Sequence, residues 1–271
     1  MKGEQKIMVN DEKFGDLRIS GSGSATGGRY KVASISGSGK IVGDVNCEKF
    51  SISGSGKVEG AVISNSFSIS GSGKVTGDLN CVIGSISGSG SVLGSIHANK
   101  FSISGSGKIG GNFKGEEFTM AGAGKVEGRI NATNVKLLGA VNVGHGIEGE
   151  FITIKGALKT LGMVNGDEVN IELNGICEVE EIGATKVKVL KEYSTMNFIG
   201  RVICKLFSKN YGYLTIRTIE ADEIYLENTI ADVVRGEKIT IGEGCKIKRI
   251  EYSKSLEKLS SESVIEEEIK L

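Results

Sequence analysis

ISGSGKVEGAVISNSFS, from Ile52 to Ser68, is one unit of a repeat that decides the fold. The pentapeptide Ile-Ser-Gly-Ser-Gly begins at Ile19, Ile35, Ile52, Ile69, Ile86 and Ile103, with a first spacing of 16 and then a constant 17. Weaker copies keep the beat at Met120 (MAGAG), Leu137 (LLGAV) and Ile154 (IKGAL), and more faintly at Ile171. A fixed period of this length is read before anything else, because each unit must bury its apolar face against its neighbours. Counted from the first Ile as zero, position 6 is Ile41, Val58, Val75, Val92, Ile109 and Val126, and position 10 is Val45, Val62, Leu79, Ile96, Phe113 and Ile130. Position 15 carries Phe50, Phe67, Phe101 and Phe118, with Gly84 as the exception. Apolar residues two apart share one face of a strand, so each unit holds two short alternating runs, F-x-I and V-x-G-x-V. Gly-Ser-Gly and a Ser/Asn/Lys stretch separate them as corners.

A helical reading fails, because several glycines per unit would each cost roughly 1 kcal/mol in a helix interior. The sequence predicts an all-β fold: a single-stranded parallel β-helix, or β-solenoid, of ~17-residue coils stacked about 4.8 Å apart. The chain has no proline, which suits unbroken ladders, since proline lacks the backbone donor. Its 271 residues include 41 glycines, about twice the usual ~7% share, and no tryptophan. Lys+Arg and Asp+Glu both number 33, so bulk charge selects no partner. No apolar run is long enough to span a bilayer. The lead-in MKGEQKIMVNDEKFG has no apolar core of the secretory kind. Cys47, Cys81, Cys177, Cys204 and Cys245 show no zinc spacing. Cys47 and Cys81 fall at position 12, where other coils carry Ser64, Ala98, Gly115 and Ala132, and read as small buried residues in a reducing cytoplasm.

Residues 1–18 form a polar lead-in or cap, and residues 19–252 the solenoid. Within it, 19–136 is the regular array and 137–193 holds degenerate coils, with Val187-Lys-Val189 arriving one residue late. Residues 194–210 break the beat, and 213–252 resume it in pairs such as Leu214-Thr-Ile216, Ile224-Tyr-Leu226 and Ile239-Thr-Ile241. Residues 253–271 are a charged, largely acidic last coil and tail. Thirteen or fourteen coils would make one elongated domain about 60–65 Å long.

The 17-residue units with V-x-G-x-[VIL] strands resemble the bactofilins, the polymer-forming bacterial cytoskeletal proteins. Glu223-Ile-Tyr-Leu-Glu-Asn-Thr229, Val233-Val-Arg-Gly236 and Ile241-Gly-Glu-Gly-Cys-Lys-Ile247 look like the longer bactofilin-like type of Gram-positive bacteria. The resemblance covers roughly residues 20–250. It implies a right-handed triangular β-helix that polymerises end to end without nucleotide and localises envelope or motility machinery. The irregular insert and the length depart from a typical short bactofilin core.

Three surfaces are candidates for function. The terminal coils carry unpaired backbone groups that another copy can continue, so the expected partner is the chain itself. The position-5 column Lys40, Lys57, Lys74, Lys108 and Lys125, interrupted by Ser91, reads first as lysines that deter side-on aggregation, and second as a surface for polyanions or acidic lipid. Glu59, Asp44, Asp78 and Glu127 dilute it, and the absence of interleaved aromatics argues against nucleic acid. In the insert, Phe198, Ile199, Val202, Ile203, Leu206 and Phe207 fall at helical spacing, with Arg201, Lys205 and Lys209 as the only charges. A short amphipathic helix there either packs on the solenoid or docks on the inner membrane surface or a membrane protein.

Signs of catalysis are missing. His97 and His145 are isolated, and no Gly-x-Gly run leads into a helix with Lys-Ser/Thr. No calcium-binding GGxGxD repeat or acyltransferase hexapeptide beat is present. No metal or cofactor is implied, and the expected role is non-enzymatic and cytoplasmic. A monomeric β-solenoid binding module is the alternative.

Overall fold

The structure is a computed structural model that describes residues 14–191 and 212–271. The expected helix at 194–210 lies outside them, as do residues 1–13 of the lead-in. The described residues form a parallel β-solenoid of 18 strands with no helix, about 14 turns in all. The chain divides into two compact units, Met1–Glu116 and Glu117–Leu271.

The first unit contains β1 Leu17–Gly21, β2 Ser24–Gly37, β3 Lys40–Gly54, β4 Lys57–Glu59, β5 Val62–Gly71, β6 Lys74–Val75, β7 Leu79–Gly88, β8 Ser91–Val92, β9 Ile96–Gly105 and β10 Lys108–Ile109. Every pairing is parallel, and the register reproduces the sequence period. Leu17 lies beside Ala33, a step of 16, whereas Phe50 lies beside Phe67 and Ile52 beside Ile69, steps of 17. Ile35, Ile52, Ile69, Ile86 and Ile103 form one interior column, each no more than 1% exposed. Position 12 is a column of small buried side chains, Cys47, Ser64, Cys81 and Ala98.

Each coil turns its corner on the first glycine of Gly-Ser-Gly. Gly37, Gly54, Gly71, Gly88 and Gly105 have φ between 113° and 124°, a region other residues rarely enter. A Cβ at Gly71 would lie 2.7 Å from the Gly54 carbonyl oxygen, so the corner is closed to side chains from the coil above as well.

Aromatic rings stack down the interior. Phe50 and Phe67 lie 5.5 Å apart and nearly parallel, 8° between ring planes. At the next turn the column holds Gly84, and the ring of Phe101 leans into the gap. A Cβ at Gly84 would come within 2.4 Å of it, and the Phe67–Phe101 centroid distance is 6.4 Å. The glycine that breaks the sequence pattern is therefore filled from one coil further on.

β11 runs from Phe113 to Val126. The second unit continues with β12 Ile130–Val143, β13 Ile147–Leu173, β14 Cys177–Lys191, β15 Leu214–Leu226, β16 Thr229–Ile241, β17 Lys246–Lys258 and β18 Val264–Lys270. Pairing stays parallel while coil length varies. Val135 pairs with Ile152 at 17, Val169 with Val187 at 18, Leu214 with Thr229 at 15, and Lys246 with Val264 at 18. The step is first 19, with Leu158 beside Cys177, and the register shift between Thr160 and Met163 reduces it to the 18 at which Val187 arrives. Strands persist through the acidic C-terminal segment, where β18 pairs with β17.

Leu173 pairs with Lys191 and Cys177 with Leu214, so the three residues 174–176 of one coil correspond to the 22 residues 192–213 of the next. On the far side the ladder resumes in step, with Val189 beside Leu226.

Burial pushes the thiols of Cys47, Cys177 and Cys245 up to about 11, and that of Cys81 up to about 12. Few of these thiols ionise at neutral pH, so they are poor nucleophiles. In a Cys204→Ser background, iodoacetamide should label the native protein at least about 100-fold more slowly than the unfolded chain. Native labelling at the unfolded rate would show that the four sulfurs are not enclosed.

Candidate functional site

The lysine column stacks as its spacing requires. Lys40 lies beside Lys57, Lys57 beside Lys74, and Lys74 and Lys108 each beside Ser91. Lys125 belongs to the second unit. Acids thread the column. Glu59 sits 2.7 Å from Lys40 and 2.6 Å from Lys57, and Glu127 sits 2.8 Å from Lys125. Hydrogen bonds from Lys40 and Lys57 hold the Glu59 carboxyl below its usual value of 4.5. Its contribution to stability is therefore present above that value and is lost as pH falls through the lowered one. Asp44 and Asp78 serve the fold, since each accepts a 2.7 Å hydrogen bond from a backbone N–H of the next coil, at Ala61 and Ser95 respectively. His97 and His145 are exposed.

The second unit carries a charge pattern that sequence reading missed. Arg217 bonds Glu180 at 2.7 Å and pairs with Glu181, and Lys248 meets Asp232 at 2.7 Å. Lys238 meets Glu223 at 2.9 Å, and Arg235 bridges Glu220 and Glu251. Most of these pairs join one coil to the next, so acids and bases alternate down the stack. Partners stand 15 to 37 residues apart in sequence, too far for a local pattern to reveal them.

Beside β14, β15 and β16 lies an open cleft of about 830 Å³, walled by Lys186, Lys188, Lys191 and Lys238 and by acids that include Glu223, Glu227 and Glu243. Lys191 is only 4% exposed; its backbone N–H donates to Glu227 at 2.9 Å and its ammonium pairs with Glu243. The Tyr225 hydroxyl donates to Glu227 at 2.9 Å, and burial first, then that bond, pushes it up to about 12. These charges hold one another across coils. A lysine at Lys191, two residues after Val189 and beside the apolar Leu173 of the coil before, was the available signal.

The turn at the C-terminal end of the second unit differs from every coil before it. The interior column Val189, Leu226, Ile241 continues to Lys258, and the column Ile182, Ile219, Val234, Ile250 continues to Glu268. The seven apolar members are 0–1% exposed. Lys258 and Glu268 are exposed and form an ion pair with each other.

The parallel solenoid and its stacked corners define a structural repeat protein, in which coil edges and faces are the working surfaces. Residues 53–131 match the model of the bactofilin family, described as polymer-forming and cytoskeletal. The chain is also 41% identical over 96 residues to the uncharacterized protein YhbF of Bacillus subtilis strain 168. That alignment covers 35% of this chain and 36% of the relative, so the match spans about a third of either protein. No solved structure gives a significant match. Among the described residues, no helix is long and apolar enough to cross a membrane.

Proposed function

We propose that the protein is a non-enzymatic scaffold that assembles with further copies of itself by end-on stacking of terminal coils, without nucleotide. The observation that carries this is the parallel ladder, in which every coil is the hydrogen-bonding template for the next. A terminal coil offers the same template to another copy, and such contacts repeat without closing. The bactofilin match over residues 53–131 points the same way. The scaffold works in the cytoplasm and positions envelope or motility machinery. The 194–210 segment supplies its contact with the inner membrane surface, through Phe198 and Phe207 on the apolar side and Arg201, Lys205 and Lys209 on the basic side.

Negative-stain electron microscopy with sedimentation velocity, at neutral pH and without nucleotide, should show filaments whose length rises with protein concentration. A sharp monomer at every concentration and salt would sink the reading and favour the monomeric binding module. Co-sedimentation with anionic vesicles should fall at least about tenfold in the Phe198→Glu/Phe207→Glu variant. Equal binding by wild type and variant would remove the lipid contact.

A further inference from the structure

From the C-terminal turn of the second unit, we infer that joining at this end is the charge-gated step of assembly. The inference rests on the end-on reading above and specifies which end is controlled. In a solenoid the last coil shows its interior columns to whatever stacks on it. Here two of those columns, apolar through every coil above, end in Lys258 and Glu268. The side chains pair across the end of the core, 46% and 37% exposed. Leu256 and Ile265, the other interior members of this turn, are half-buried. The core therefore closes under a charged lid.

Stacking a second copy on this lid would take the ion pair out of water, a cost that attraction in the interior seldom repays. The last strand adds a second barrier. β18 presents Glu266, Glu267 and Glu268 in succession, all exposed, and Arg249, which pairs with Glu251 at 3.2 Å, lies 3.9 Å from Glu267. Two copies meeting through this strand would set acid opposite acid. Val264, the exposed apolar residue at the start of the strand, does not supply a stacking face. Its column holds Ile230 and Lys246, which also face solvent.

Both barriers are electrostatic, and the acid–acid one lies at the surface, where salt screens it. The Debye length falls from about 10 Å at 0.1 M to about 3 Å at 1 M salt. At low salt, copies join only through their other ends and stop at pairs. At high salt, the C-terminal turns also join, and filaments extend.

The test compares full-length wild type with Lys258→Ile/Glu268→Val, which restores the apolar columns, at about 0.05 M and 1 M NaCl. Sedimentation velocity and electron microscopy read assembly length, and far-UV circular dichroism checks folding. Wild type should form pairs at low salt and filaments at high salt. The variant should form filaments at both, with a low-salt joining constant raised about tenfold or more. In a second arm, Glu266→Lys/Glu267→Lys chains mixed with wild type should extend beyond pairs at low salt, where neither does alone. The charge swap costs only an exposed ion pair, so this arm does not depend on the core replacement folding.

Wild-type filaments of equal length at both salts, with no lengthening in the variant or the mixture, would overturn the gate and leave end-on assembly standing. No end-on assembly by wild type, variant or mixture at any salt would overturn both.

Discussion

Gly71→Ala should destabilise the first unit by about 3 kcal/mol, a large loss for one methyl group. Gly71 has φ +123, and the new Cβ would sit 2.7 Å from the Gly54 carbonyl oxygen. Strain in such a backbone region costs of order 1–3 kcal/mol, and relieving the clash must push apart two coils joined by the ladder. The matched control is Gly15→Ala, where nothing lies within 4 Å of the added atom and a change within about 0.5 kcal/mol is expected. Urea unfolding followed by circular dichroism, with hydrogen exchange to localise the loss, reads both. Because each coil contacts only its neighbours, the loss of exchange protection should centre on coils beside Gly71. Equal midpoints for the two variants would show that the corner is not sterically closed.

Phe101→Ala should cost about 4–5 kcal/mol, at the upper end of the range for deleting a buried aromatic ring. Phe101 is 2% exposed, faces Phe67 at 6.4 Å and Phe113 at 6.2 Å, and also covers the space over Gly84. Its removal leaves two successive coils without a ring, so the cavity is larger than one side chain. Phe50→Ala removes a ring whose neighbour Phe67 remains stacked in register, and should cost less. Thermal and urea midpoints for the pair decide the matter. A smaller loss at Phe101 than at Phe50 would mean that the ring does not fill the glycine gap.

The regular coils were legible because Ile-Ser-Gly-Ser-Gly repeats its interior Ile, its corner glycine and its outward serines at one spacing. Parity and period together give both strand face and register, and Ile52 indeed lies beside Ile69. The late Val187 was legible as a delay of one, but not its origin: two residues are added before Cys177 and one is taken back at the register shift between Thr160 and Met163. The second unit hides its order better. Its coils step by 15 to 19 residues, apart from the step of 37 that includes residues 192–213, its corners no longer share a motif, and the pairs that tie it together, such as Arg235 with Glu220 and Glu251, cross between coils. Of the candidate surfaces, the lysine column was visible as a spacing, but not that Glu59 lies between two of its members. The charged end could have been found by parity alone. Lys258 stands two residues after Leu256, where Ile241 follows Ile239 one coil earlier.

Between Lys191 and Leu214 the chain has 22 residues where the coil before has three, yet Val189 still meets Leu226. Hydrogen bonds on either side hold the ladder, so the stack tolerates a connection of different length there, and closing a connection grows costlier only slowly with its length. That makes it a natural socket for a fluorescent tag or affinity handle. A label placed there would report on the molecule inside an assembly while leaving both end coils as they are.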